Sequence, residues 1–285
     1  MLNDVQATQR ISLQDYERFR EYFYRRTGIF FEDSKRYFVD KRLLDRMRLT
    51  ENTSFRSYFA FMRFQASGEE FQSLVNVMTV NETYFMRERY QFECLVESVL
   101  NELVARHGEQ KLLRIWSIPS STGEEPYSIV LSLLEHWPLL ERVDVEIVAS
   151  DIDTQVLQRC REGIYGARSL AHLSPEVRKR YFKPLDDHKW QIADFIRDSV
   201  EFTQVNLADL QQTRQYKQFD VIFCRNLLIY FDDLARRKAA EVFYDALDEG
   251  GFIFLGHSES MSRISSLFEV RKFPKAMVYQ KAEIK

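Results

Sequence analysis

From residue 112 onward the sequence alternates between two textures. Short apolar runs rich in β-branched and aromatic residues occur at LLRIWSI (112–118), VEIVAS (145–150), VEFTQVN (200–206), FDVIFC (219–224) and GFIFLG (251–256). Three of them lead into stretches of helical periodicity: EEPYSIVLSLLEHW, DTQVLQRCREG and DDLARRKAAEVFYDAL. Strands this continuously apolar must be covered on both faces, the condition of a parallel sheet layered between helices. The expected class is therefore α/β. A final pair, FEVRKF and AMVYQK around Pro274, reads as a closing hairpin. The stretch 151–199 is longer than one crossover helix requires. Its portion KPLDDHKWQIADFIRDSVEF reads as short strands about a polar turn, so a small β-insertion is expected at about 180–200.

The first part of the chain is different. Over residues 11–78, Phe, Tyr, Leu and Met recur at three- and four-residue spacing, as in Tyr16, Phe19 and Phe23, or Phe55, Tyr58, Phe59 and Met62. Ser12 and Ser54 are expected N-caps, and Gly28 and Ser67-Gly68 punctuate the runs. The expected division is a helical domain over 1–78, a linker and first helix over 79–111, and an α/β domain over 112–285. With 23 Phe and 14 Tyr in 285 residues, disorder is excluded. No run approaches the roughly 18 apolar residues of a membrane span. The first twenty residues lack the basic-then-apolar layout of a secretory leader. Cys94, Cys160 and Cys224 form no CxxC pair and have no His at metal spacing, so neither a disulfide framework nor a metal site is expected. A cytoplasmic protein is expected, with nothing in the sequence demanding more than a monomer.

The net charge of −3 conceals an asymmetry. Residues 1–78 carry 13 Lys/Arg against 11 Asp/Glu, and the segment 35–48 alone carries six basic and two acidic residues. A local basic patch points to an acidic partner surface, whereas the acidic overall balance argues against a general nucleic-acid binder.

In open α/β sheets, ligands bind beyond the carboxyl ends of the strands. Four segments fall there. The first, Ser120-Ser121-Thr122-Gly123-Glu124-Glu125-Pro126, is neither a GxGxxG nor a GxxxxGK[ST] loop. Its paired glutamates at a helix start would repel phosphate. They fit a cationic, phosphate-free cofactor, or else a capping box of Ser121 with Glu124 or Thr122 with Glu125. In the second, Ala149-Ser150-Asp151-Ile152-Asp153, Asp151 can accept ribose hydroxyls or be an ordinary loop acid, while Asp153 is the expected cap of the next helix. In the third, Asn206 before Leu207 can meet an adenine edge or form a turn. The fourth, Phe223-Cys224-Arg225-Asn226-Leu227-Leu228-Ile229-Tyr230-Phe231, reads as a site wall or as a connector with Tyr230 in the core. Upstream, Asn81-Glu82-Thr83-Tyr84-Phe85-Met86-Arg87 is unusually aromatic for a linker. His257 has no Ser/Asp partners for a hydrolase triad and is expected to be structural.

Taken in order, the motifs Asn81-x-Thr83-x-Phe85-x-Arg87, Ser121-Thr122-Gly123-Glu124-Glu125-Pro126-Tyr127-Ser128, Ser150-Asp151-Ile152-Asp153, Phe223-Cys224-Arg225-Asn226, Ile229-Tyr230-Phe231 and Gly256-His257-Ser258-Glu259 make the chain resemble the chemotaxis receptor methyltransferases, the CheR family, over almost its whole length. It departs from many members in having Ile118-Pro119-Ser120 where they carry a glycine, with Gly123 retained. The resemblance implies a helical domain joined to an S-adenosylmethionine-dependent, Rossmann-like methyltransferase domain with a β-insertion. It implies methylation of glutamate side chains on chemoreceptor cytoplasmic helices, giving glutamate methyl esters and S-adenosylhomocysteine.

By the same resemblance, Asn81, Thr83 and Arg87 approach the cofactor from the linker, and Glu124 or Glu125 lies at its methionine end. Asp151 takes the ribose, Asn206 and Leu207 frame the adenine, Arg225 and Asn226 contact the cofactor, and Tyr230 flanks the transferring methyl. Arg87 is expected to orient the acceptor carboxylate. That carboxylate, with a pKa near ~4.3, is already ionised and needs no general base. Lys35, Arg42 and Arg46 share one helical stripe and are expected to dock the glutamate-rich receptor helix. The loop Lys183–Lys189 is short and lacks glycine, so independence from a receptor C-terminal tail is expected. The competing readings are a non-catalytic S-adenosylmethionine-binding signalling module and, last, a nucleic-acid methyltransferase, against which the missing [DN]PP[YF] loop counts.

Overall fold

The structure, a computed structural model, describes residues 10–282. It divides into two compact units, Met1–Val80 and Asn81–Lys285.

The first unit is helical. Helix α1 (Leu13–Thr27) starts where the Ser12 side chain accepts the Asp15 N–H and stops at Gly28 in the left-handed conformation. Helix α2 (Arg36–Leu49) is followed by α3 (Phe55–Phe64), capped by Ser54 through the Ser57 N–H, and by α4 (Glu69–Met78), which begins at left-handed Gly68. The apolar positions at helical spacing turn inward: Tyr16, Phe19, Phe23, Val39, Leu43, Tyr58 and Leu74 are fully buried. Burying each such side chain stabilises by roughly 1.5–3 kcal/mol, which holds helices too short to persist alone.

The second unit opens with the segment 81–88 and a long helix. That helix comprises α5 (Arg89–Cys94), a π-helical turn (Leu95–Val99) and α6 (Leu100–His107). Then come β1 (Leu113–Ser117), α7 (Glu124–His136), β2 (Val145–Asp151), α8 (Thr154–Glu162), β3 (Ile164–Gly166), α9 (Pro175–Tyr181), β4 (Phe182–Pro184), β5 (Lys189–Ile192), α10 (Asp194–Arg197), β6 (Val200–Gln204), α11 (Leu210–Thr213), β7 (Phe219–Cys224), α12 (Asp233–Ala246), β8 (Leu247–Leu255), β9 (Phe268–Lys272) and β10 (Met277–Lys281). Seven strands form one sheet in the order β6-β2-β1-β7-β8-β10-β9. It is parallel through β8 and closed by antiparallel β10 and β9, the hairpin anticipated around Pro274. The apolar runs became parallel strands because both their faces are covered: every residue of β7 is buried. Phe92, Phe223 and Phe254 stack through that layer at 5.8 and 4.4 Å between rings.

The insertion is a separate antiparallel sheet in the order β3-β5-β4. Its first strand, Ile164–Gly166, lies upstream of the segment read from sequence, and ADFIRD forms a helical turn rather than a strand. Three residues are too short a run for periodicity to register.

Candidate functional site

Strand order reverses between β1 and β7, so the crevice of this sheet lies beyond their carboxyl ends. After Ser117 the chain turns sharply. The Ser120 N–H donates to the Ser150 carbonyl at 2.7 Å and the Ser121 N–H to Asp151 Oδ2 at 2.8 Å, pinning this loop to the end of β2. Gly123 then caps α7 with φ +97°, and a Cβ there would lie 2.8 Å from the Tyr165 hydroxyl, so only glycine fits.

The capping box does not form, because no side chain caps α7. Its glutamates are drawn elsewhere. Glu124 accepts the hydroxyls of Ser169 and Thr122, each at 2.6 Å, and is buried. Glu125 accepts the Ser117 hydroxyl at 2.9 Å and the Arg225 guanidinium at 3.1 Å. It thus spans the ends of β1 and β7, across the switch point itself.

Arg225 organises this centre. Its side chain is 2% exposed and lies between Glu125 at 3.1 Å and Glu88 at 3.4 Å, while donating to the Arg87 carbonyl at 2.5 Å. Two carboxylates therefore share one guanidinium, leaving one negative charge in excess. Their titrations diverge. Burial acts to raise Glu88, but the Arg225 charge and hydrogen bonds from His257 hold it below the usual carboxylate range. Burial raises Glu125 even with the Arg225 charge beside it and the Ser117 hydroxyl bonded to it.

The segment carrying Arg87 is conformationally forced. Met86 and Glu88, on either side of it, have φ of 58° and 56°, a region non-glycine residues avoid. Ser128 Oγ accepts the Met86 N–H at 2.9 Å, and Gln91 Nε2 donates to Glu88 at 2.9 Å. Phe85 meets Tyr165 and Phe182 edge-on at 4.8 and 5.3 Å, which accounts for the aromatic character of this segment. Arg87 itself donates to the Glu82 carbonyl at 2.8 Å and lies within the electrostatic field of Tyr230. Burial raises the Tyr230 phenol and the Arg87 charge opposes that rise.

Asp151 is buried at the end of β2, where Oδ1 accepts the Asp153 N–H at 2.9 Å. Burial pushes its carboxyl up to about 7, against the pull of the backbone donors. Asp153 caps α8 as expected and accepts Asn81 Nδ2 at 3.0 Å. Thr83 is half-buried. Asn206 Oδ1 takes the Ala208 N–H in a turn, and Leu207 is buried. His257 is 68% exposed and sits 3.0 Å from Glu88.

The stripe of Lys35, Arg42 and Arg46 faces differently from the docking expectation. Arg46 is bidentate to Glu70 at 3.0 and 2.5 Å, and Tyr58 donates to the same carboxylate at 2.8 Å. Arg42 lies 3.4 Å over the Phe38 ring and donates to the Val77 carbonyl. Of the three, Lys35 alone is exposed, whereas Lys41 and Arg48 point outward beside Tyr37. A buried glutamate on α4 demands a cation, and the stripe supplies it.

Sequence reasoning missed Glu88, Ser169 and the hydroxyl of Ser121, which is buried with no hydrogen-bond partner. Glu88, adjoining Arg87 in an aromatic linker, carried the one usable signal. Among the described residues no His/Cys/Asp/Glu group could hold a metal ion. The excess negative charge and the unpartnered Ser121 hydroxyl suit a cationic ligand bearing polar groups.

Residues 81–277 match the family described as CheR methyltransferase, SAM binding domain, and residues 14–79 match CheR methyltransferase, all-alpha domain. The chain is 60% identical to chemotaxis protein methyltransferase 2 of Vibrio cholerae, over 94% of this chain and 92% of that one. It is 36% identical to the chemotaxis protein methyltransferase of Salmonella typhimurium (94% and 91% covered) and 34% to that of Escherichia coli (94% and 92%).

Proposed function

The chain belongs to the CheR methyltransferase family, and on that premise we propose that it transfers a methyl group from S-adenosylmethionine to glutamate side chains of chemoreceptors. The observation that carries this reading is the unbalanced cluster at the switch point, one guanidinium for two carboxylates, set beside Arg87 and Tyr230.

S-adenosylmethionine, when bound, supplies an electrophilic methyl on a cationic sulfur. Glu125 and the adjoining Glu88 offer it uncompensated negative charge. Of the two glutamates that start α7, Glu125 is the one we place toward the donor, because it crosses the crevice. Asp151 takes the ribose hydroxyls, Ser121 adds a hydroxyl, and Asn81, Thr83, Asn206, Leu207 and Asn226 complete the wall. Arg225 acts through Glu125, Glu88 and the Arg87 carbonyl.

The acceptor carboxylate arrives ionised, so these residues need to remove no proton. Their task is alignment and exclusion of water, since solvation of both charges holds back the reaction in water. Arg87 orients the acceptor and Tyr230 shapes the methyl's approach. The basic face of α2 that guides an acidic receptor helix is Lys41 with Arg48, exposed on another side of the helix, since Arg42 and Arg46 are occupied within the helical unit. The enzyme works as a cytoplasmic monomer on the receptor's cytoplasmic helices; no helix among the described residues is long and apolar enough to cross a membrane. The four residues between β4 and β5 form a tight polar turn, with Asp186 Oδ1 accepting the His188 N–H at 2.8 Å. They offer little to a receptor tail, and calorimetry with a tail peptide should show no heat.

Transfer of labelled methyl groups from S-adenosylmethionine to a receptor cytoplasmic fragment, as base-labile esters on glutamate, tests the reading. Arg87→Ala should lower turnover by roughly a hundredfold at saturating donor. Label without ester chemistry, or unchanged turnover in that variant, would refute the respective assignment.

A further inference from the structure

We propose that Glu259 is a positioning residue that sets the loop carrying Arg225, Asn226 and Tyr230. The proposal rests on the methyl-transfer reading and adds a part to that site. Glu259 ends the Gly256-His257-Ser258-Glu259 motif after β8, to which no role above assigns a purpose. Its carboxylate accepts three backbone N–H groups: Asn226 at 2.7 Å and Gly256 at 2.8 Å on Oε2, and Leu228 at 2.8 Å on Oε1. The loop after β7 and the loop after β8 are thus gathered onto one anion, as in a backbone nest.

The arrangement is built for that anion. Asn226 has φ +59°, a cost that persists only when its surroundings impose it. Gly256 makes the approach possible, because a Cβ there would lie 2.7 Å from Asn226 Nδ2 and 2.8 Å from Glu259 Oε2. The peptide planes fixed in this way lead directly into the turn Leu228–Tyr230. Glu259 therefore reaches the donor through Asn226 and the transferring methyl through Tyr230 without touching either.

Glu259→Gln keeps the shape but turns an amide against donors that need an acceptor. Titration of the full-length variant with S-adenosylhomocysteine should give a stoichiometry near one and a Kd raised about tenfold, the scale of one lost hydrogen bond. Turnover at saturating donor should fall roughly a hundredfold, with KM for the receptor fragment unchanged. In ligand-free protein, amide exchange should quicken over 226–230 and stay unchanged over 113–117.

A merely structural role predicts instead fewer competent molecules: reduced stoichiometry with an unaltered Kd. That result overturns the proposal. Should Glu259→Gln fail to accumulate, Glu259→Asp, which shortens the arm and keeps the charge, is decided by the same readouts. If wild-type protein itself gives no heat with S-adenosylhomocysteine, the methyl-transfer reading fails and takes this proposal with it. Binding by wild type with an unaltered variant Kd refutes the positioning role alone.

Discussion

Each unit of the molecule sets an arginine against buried carboxylate, and the two arginines do opposite things. In the helical unit, Arg46 meets one glutamate, Glu70, with both carboxylate oxygens engaged and Tyr58 completing the set. Charge and hydrogen bonds balance, and nothing is left over for a partner. In the α/β unit, Arg225 is divided between Glu88 and Glu125, and its Nε is buried without a hydrogen-bond partner. Balance marks a strut between α2 and α4; imbalance marks a place where something else must complete the electrostatics. A buried arginine is in itself no evidence for either.

The severest test of this contrast is Arg225→Met. Two carboxylates would then face each other in a buried crevice, and we expect roughly 3–5 kcal/mol of lost stability together with loss of donor binding at any accessible concentration. Urea titration and calorimetry read the two effects separately. Retained binding would show that donor binding does not depend on the geometry Arg225 imposes on the two glutamates. Arg46→Ala should lose a comparable roughly 3–5 kcal/mol, but the surviving folded protein should bind S-adenosylhomocysteine with wild-type affinity. A changed Kd would dissolve the distinction between the two arginines.

A milder probe is pH. Asp151 is protonated below about 7 in the free protein, and ribose hydroxyls need its carboxylate as acceptor. Affinity should therefore rise about tenfold between pH 6 and pH 7–8 and then level, with proton uptake or release visible in buffers of different ionisation enthalpy. Stability runs the other way. A carboxyl raised in the folded state favours folding below its unfolded pKa of about 4, and that contribution is lost as pH climbs through about 7. Asp151→Asn should flatten both profiles. The smallest effect is on the receptor side: Lys41→Glu with Arg48→Glu should raise KM for the receptor fragment several-fold at low ionic strength, and the difference should vanish near 1 M salt.

What could be read from the sequence was whatever a residue's immediate neighbours decide. β7 matched its apolar run residue for residue, and Asp153 capped α8, because burial on both faces and a local cap are written into short windows. What escaped depended on distant partners. Glu124 and Glu125 had the spacing of a capping box, but Ser169 and Arg225, 45 and 100 residues away, claimed their carboxylates and left Gly123 to start the helix. Periodicity placed Lys35, Arg42 and Arg46 on one stripe correctly. It could not tell that Glu70 on another helix would turn most of that stripe inward. Glu259 stood in a recognisable motif, yet its purpose appears only once Asn226 adopts a left-handed backbone.

Met86 and Glu88 hold Arg87 between two backbone conformations that each cost about 1 kcal/mol or more. Glycine would lift the backbone cost at either position, but at 88 it would strip Arg225, Gln91 and His257 of a shared carboxylate, and at 86 it would remove a side chain packed against the core. The strain that aims Arg87 is thus locked in by the very side chains that bear it, and selection for thermal endurance would find no easy relief at either site.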